Sequence, residues 1–181
     1  MNRRTALILA AFSCSPADSL QCISRRCALL ALPTFPVAAH AAADGPVFDF
    51  SKPLSTDIAL DRFQRGRQSL NYLLENYDEI VLGGGDNVRR YLGTVGTTSG
   101  LWGISKVLKR LRDEADDIVE FTDLENEVES AILAADGAAY MAIFVTTSSS
   151  SVPPQRYFED ARREAKVAKK FMDKVAVELG L

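Results

Sequence analysis

The chain reads as all-α: an antiparallel four-helix bundle, up-down-up-down, with one extra short helix between the first and second long helices. Three observations point there. Between Ala59 and Leu179, apolar residues recur three and four positions apart in four long segments, the spacing of a buried helix seam. Clusters of Gly, Ser and Pro part these segments, as helix-interrupting residues do. Few runs alternate apolar and polar residues, so little sheet is expected.

The first helix follows an extended segment, 44–56, with two prolines, and the bundle is expected over 57–181. Asp57 or Thr56 is placed to cap it. Its stripe is Ala59, Phe63, Gly66, Leu70, Leu73, Tyr77 and Ile80, and the glycines of "GGGD" end it. "DNVRRYL" is the short helix, capped by Asp86, and "GTVGTTSG" breaks the chain again. The second long helix is expected from about Ser99, with the stripe Leu101, Ile104, Leu108, Leu111, Ala115 and Ile118. The third begins near Thr122 or Asp123, with Leu124, Val128, Ala131, Ala135, Ala138, Ala142 and Val145. "TTSSSSVPP" is a loop. Pro153 or Pro154 opens the last helix, where a missing N–H costs little. Its stripe is Phe158, Ala161, Ala165, Ala168, Met172, Val175 and Leu179, and it ends at Gly180. The alanines of the last two helices imply close helix approach. The glycine-rich stretch 83–100 is either an ordered corner or a mobile loop.

Residues 1–43 read as a targeting leader. Arg3 and Arg4 precede an apolar run, Ala6 to Phe12, in the order of a secretory signal. The order repeats: Arg25 and Arg26, then Cys27 to Leu32, then small residues ending in Ala39-His40-Ala41 and Ala41-Ala42-Ala43. Pro33 and Pro36 interrupt the second run well short of the about 20 residues a membrane span needs. Between the runs lies the Ser-rich "SCSPADSLQCIS", like a short transit segment. The alternative is one long signal peptide with a ragged core.

Cleavage after Ala43 leaves 138 residues, one domain's worth. Cys14, Cys22, Cys27 and His40 all lie in the leader, so the mature domain has no thiol and no imidazole. That excludes Cys/His zinc sites, Cys-x-x-Cys-His haem attachment, Glu-x-x-His di-iron sites, and Ser-His-Asp or Cys-His catalysis. No catalytic, cofactor-binding or metal-ligating residue is assigned. The mature domain carries 17 basic against 23 acidic residues, the opposite of the balance a nucleic-acid binder needs.

Four stretches merit weighing. "GGGDNVRRYLGTVG" lacks the preceding strand and the Gly-Lys-Ser/Thr of a phosphate loop, and reads as an interhelical connection. In Arg89-Arg90-Tyr91 the adjacent arginines point to different helix faces. One can pair with Asp86 or with an acid on another helix, while the other faces a partner, and Arg and Tyr are enriched at interface hot spots. Lys106, Lys109 and Arg110 begin a helix whose later residues are acidic, against the preference of the helix dipole. The pattern is either a docking face or a solvated face with i,i+4 pairing. The interface assignment is therefore Arg89, Arg90, Tyr91, Lys106, Lys109 and Arg110. Asp116, Asp117 and Glu120 offer at most weak divalent-cation binding, without EF-hand spacing. Trp102, the sole tryptophan, reads as a core plug.

The stretch "NYDEIVLGGGDNVRRYLGTVGTTSGLWGISKVLKRLRDEADDIVE", above all "DNVRRYLGTVGTTS", with "DEADDIVE" and the "ELGL" ending, resembles the extrinsic lumenal subunit of photosystem II of diatoms and related red-lineage algae (the Psb-thirty-one type, PsbQ-like). The leader is similar to that of a nucleus-encoded thylakoid-lumen protein in an alga with a complex plastid, and "SRR" looks like a twin-arginine signal. The resemblance covers about Leu70 to Leu181. It implies a non-catalytic subunit in the thylakoid lumen of the plastid, peripheral to the membrane. Its partners would be photosystem II core subunits and other extrinsic proteins. It would shield the manganese–calcium cluster and help retain calcium and chloride, holding no cofactor itself. A lumenal assembly or repair factor, and an exported periplasmic helical protein, are the alternatives.

Overall fold

The structure, a computed structural model, describes residues 53–147 and 152–181. Six α-helices pack around one apolar core: α1 (Thr56–Glu75), α2 (Tyr77–Leu82), α3 (Gly85–Tyr91), α4 (Ile104–Leu111), α5 (Ile118–Thr147) and α6 (Pro154–Glu178). A single 3-10 turn, Arg112–Glu114, follows α4, and there is no strand among the described residues. The leader and most of the "TTSSSSVPP" loop lie outside the described residues.

The first stripe is buried at all seven predicted positions, from Ala59 to Ile80. Its helix is nevertheless two helices. Asn76 interrupts it, with φ −107° and ψ 22°, and its side-chain amide donates to the Tyr72 carbonyl at 3.0 Å. An asparagine side chain competes with the backbone ladder in this way, so the break needs neither Gly nor Pro. The apolar period runs across it undisturbed. The N-cap is Ser55, without a side-chain bond. Thr56 instead donates its hydroxyl to Glu114 at 2.9 Å, tying the start of α1 to the turn after α4.

The second long helix differs most from expectation. Of the predicted run from Ser99, only the eight residues Ile104 to Leu111 form its α-helix, followed by the 3-10 turn. Before α4 the chain turns, and Gly103, at φ 72°, serves as its N-cap. After the 3-10 turn, Ala115 is extended at ψ 148°. Asp117 then caps α5, its carboxylate accepting from the backbone N–H groups of Val119 (2.8 Å) and Glu120 (3.0 Å). The third long helix therefore begins at Ile118, ahead of Thr122. Ile118, predicted as core, is more than half exposed in its first turn.

The end of α6 follows the sequence closely. Pro154 is its first residue. Gly180, at φ 69°, lets the N–H groups of Gly180 and Leu181 reach back to Val177 (3.0 Å) and Ala176 (2.9 Å), a Schellman closure.

Contacting pairs give the helix directions. Arg67 meets Asp173 and the Tyr77 hydroxyl meets the Phe158 carbonyl, so α6 runs against α1 and α2. Leu54 and Thr56 meet Arg110 while Gly66 meets Ile104, so α4 also runs against α1. Gly85 meets Ala139 and Arg89 meets Asp136, which sets α3 against α5. The α5–α6 contact is the most extensive, and both helices bury alanines: Ala131, Ala135, Ala139 and Ala142 in α5, Ala161, Ala165 and Ala168 in α6. Small side chains at a helix contact bring the axes close. Burial pushes the Tyr77 phenol far above its ordinary range, against the pull of Arg162, so it stays a neutral donor, here to Phe158 at 2.6 Å.

Candidate interaction surface

The glycine-rich stretch is an ordered corner. Gly85 lies against α5, where a Cβ would overlap the Ala139 carbonyl oxygen and stand 2.7 Å from Ile143. Only the absence of a side chain lets α3 sit this close. Gly93 combines φ 74° with a backbone contact: a Cβ would lie 2.6 Å from the Trp102 nitrogen. The Ser99 hydroxyl donates to the Tyr91 carbonyl at 2.6 Å. The Gly100 N–H donates to Ser69 at 3.1 Å, and Arg62 to the Trp102 carbonyl at 2.8 Å, pinning the corner to α1. Trp102 itself is half-buried.

The three residues of the "RRY" motif have separate roles. Arg89 points inward. Its Nε donates to Asp136 of α5 at 2.8 Å and an Nη to Asp86 at 3.2 Å. Its guanidinium lies 4.8 Å above the Tyr140 ring. Asp86 thus pairs with Arg89 and does not cap α3, whose N-cap is Gly84. Tyr91 stacks on Tyr72 with ring centroids 5.8 Å apart and packs against the core. Arg90 is exposed, with no side-chain ion pair among the described residues. Of the adjacent arginines, Arg89 pairs within the fold and Arg90 lies exposed on another helix face.

The basic start of α4 divides the same way. Arg110 is drawn inward, its Nε donating to the Leu54 carbonyl at 2.9 Å and its Nη2 to Thr56. Lys106 and Lys109 stand exposed, three residues apart on one side of α4. Arg112 pairs with Glu125 at 2.7 Å, and Glu125, 2% exposed, is the one charged residue in the core among the described residues. Of the six predicted interface residues, Arg90, Lys106 and Lys109 are exposed, Arg89 and Tyr91 hold the corner, and Arg110 ties α4 to the start of α1.

Among the described residues, no group of three acidic, histidine or cysteine side chains lies close enough to hold a metal ion. Asp117 is engaged in capping α5, and Asp116 and Glu120 lie exposed beside it. A cleft of about 460 Å³ opens at this end, lined by Asp117, Glu120, Asp123 and Glu127 with Leu124 and Phe171. Of the six basic residues between Arg162 and Lys174 of α6, three form ion pairs among the described residues: Arg162 with Asp78, Arg163 with Asp160, and Lys169 with Asp173.

Sequence reasoning missed the outer face of α5. Leu133, Tyr140, Met141 and Phe144 are each 43% exposed or more. A signal was present: from Ser130 to Thr146 the only charge is Asp136. An all-apolar α5 seam hid it, because the buried alanine stripe accounts for the same stretch. By length and composition Ile118–Thr146 is apolar enough to cross a membrane, although a third of its most apolar window is buried in the fold. Comparisons with protein-family models, with curated proteins and with solved structures find no match for this chain.

Proposed function

We propose that the chain is a non-catalytic extrinsic subunit on the lumenal face of photosystem II, in the thylakoid lumen of a plastid. There it would shield the manganese–calcium cluster and help retain calcium and chloride. The observation that carries this reading is the resemblance of "DNVRRYLGTVGTTS" and its flanks to the Psb-thirty-one type. The leader order supports it, as does a mature domain without histidine or cysteine. The fold is compatible: all-helical, with its most specific stretch forming a fixed corner.

In this reading the domain is a four-rod, up-down-up-down bundle. The first rod is α1 with α2, the second is α4, preceded by the extra short helix α3, and α5 and α6 are the third and fourth. The antiparallel contacts of α1 with α4 and α6, and of α3 with α5, support that grouping. Arg90, Lys106 and Lys109 supply the basic docking groups, and exposed charges dock in a salt-sensitive way.

The test is made on purified photosystem II particles from the source organism. The reading expects the mature protein at near-unit ratio, and its release by a high-salt wash together with loss of oxygen evolution. Absence from mature particles, with presence in assembly intermediates, would replace it with an assembly or repair factor.

A further inference from the structure

We propose that two copies of this chain pair through the exposed outer face of α5, antiparallel, about a two-fold axis at Gly137. The face is Ser130, Leu133, Ala134, Gly137, Tyr140, Met141 and Phe144, all exposed and none charged. Each position of this face before Gly137 has a counterpart at equal spacing after it, at three, four and seven residues. The N-terminal half carries Ser130, Ala134 and Leu133; the C-terminal half carries Tyr140, Met141 and Phe144. An antiparallel crossing at Gly137 sets the smaller half of one copy against the larger half of the other. Ser130 then faces Phe144, Ala134 faces Tyr140, and Leu133 faces Met141. A two-fold contact requires this reciprocity, in which residue i meets j and j meets i. A partner without the same asymmetry gains nothing from it.

Gly137 supplies a second, independent observation. Glycine inside a helix weakens it relative to alanine. Among the described residues nothing explains the choice, since a Cβ at 137 meets none of their heavy atoms within 4 Å. Gly85 and Gly93, by contrast, are glycine because the chain's own backbone crowds them. At the centre of an exposed apolar face, a missing side chain permits another backbone to approach. The large side chains are held ready: Tyr140 lies edge-on to Phe144, centroids 4.8 Å apart, beneath the Arg89 guanidinium. Four half-exposed large side chains present roughly 400 Å² per copy, the size at which an apolar patch marks an interaction site. With Ser130, Ala134 and Gly137, two copies together bury about 1,000 Å², the lower bound of a specific interface. The dimer is accordingly weak, forming at micromolar concentration. The inference does not depend on where the chain works.

Sedimentation velocity of the chain over about 1 to 500 μM is the test, beside two variants at exposed positions. The wild type is expected to shift from monomer to dimer with concentration. Gly137→Leu is expected to remain monomeric while melting at a higher temperature, because leucine favours the helix and clashes only across the two-fold. Met141→Lys is expected to remain monomeric with an unchanged melt. A wild type monomeric throughout overturns the proposal, as does a dimer that survives both variants. Phosphatidylcholine vesicles provide the remaining arm. Binding of the wild type to them, lost in Met141→Lys, without self-association, would make the face a lipid-contacting one and overturn the pairing.

Discussion

Arg89 and Asp136, 47 residues apart in sequence, meet with Nε 2.8 Å from Oδ1. Asp136 also accepts from the Thr94 hydroxyl, while the Thr94 backbone N–H donates to the Arg89 carbonyl at 3.2 Å. One carboxylate thus joins α3, the loop after it and α5. Both charged side chains are only 19% exposed, so the pair is sheltered from solvent more than a surface ion pair is.

Arg89→Leu should therefore act on stability. It strands Asp136 with Thr94 alone and removes the cation from the Tyr140 ring. A loss of about 1–2 kcal/mol is expected, as for a hydrogen bond to a charged group, or roughly 3–8 °C in melting temperature for a domain of this size. Thermal denaturation by circular dichroism checks it. An unchanged melt would mean the pair is no more than a surface contact.

The same substitution should have opposite signs at two glycines. Gly85→Ala drives a Cβ into the Ala139 carbonyl and Ile143. The backbone cannot swing aside as a side-chain end would, so about 1–3 kcal/mol is lost, as for overpacking. Gly137→Ala meets none of the described residues within 4 Å and should stabilise α5 by about 0.5–1 kcal/mol through helix propensity. Urea denaturation of both variants reads the two signs in one experiment.

Much of this fold was legible in the sequence, and the exceptions have physical causes. The stripes from Ala59 to Ile80 and along α6 name core residues because period and burial coincide there. The break at Asn76 was not legible, since it arises from a side-chain hydrogen bond that leaves the period intact. The second long helix is shorter than its apolar stripe because Leu101 is buried although it precedes α4. Burial keeps an apolar residue in the stripe whether or not its backbone is helical. Asp117 as the cap of α5 was concealed in a run of acids that offers several equivalent caps. At the candidate surface, the opposed faces of Arg89 and Arg90 followed from their adjacency. The identity of Asp136 as the partner did not, because it depends on how α3 lies along α5.

Docking charge should separate from stability at Arg90 and Lys109. Both are exposed, on the helix surfaces of α3 and α4. Arg90→Glu with Lys109→Glu should leave the melt within about 0.5 kcal/mol, as surface substitutions do. Rebinding to salt-washed photosystem II particles should weaken several-fold and become less salt-dependent. Equal rebinding by the variant and the wild type would remove these residues from the proposed interface.

Acid sensitivity should have one identifiable contributor in Asp173. Burial raises its pKa, but hydrogen bonds from Lys169 at 2.6 Å and Arg67 at 2.7 Å outweigh this and hold it below its ordinary 3.8. A carboxylate depressed in the folded state stabilises the fold in full above its unfolded pKa. That contribution is lost as pH falls through the folded value. Stability should therefore be flat near neutrality with respect to this group and decline below 3.8. Asp173→Asn removes the titration. Its cost near pH 7 should be only about 0.5–1 kcal/mol, since the carboxylate is 39% exposed and partly screened. The gap between the variant and the wild type should then close as pH falls below 3.8. Urea denaturation at pH 7 and in the acid range measures that gap. A gap that stays constant with pH would show that Arg67 and Lys169 gain nothing from the carboxylate's charge.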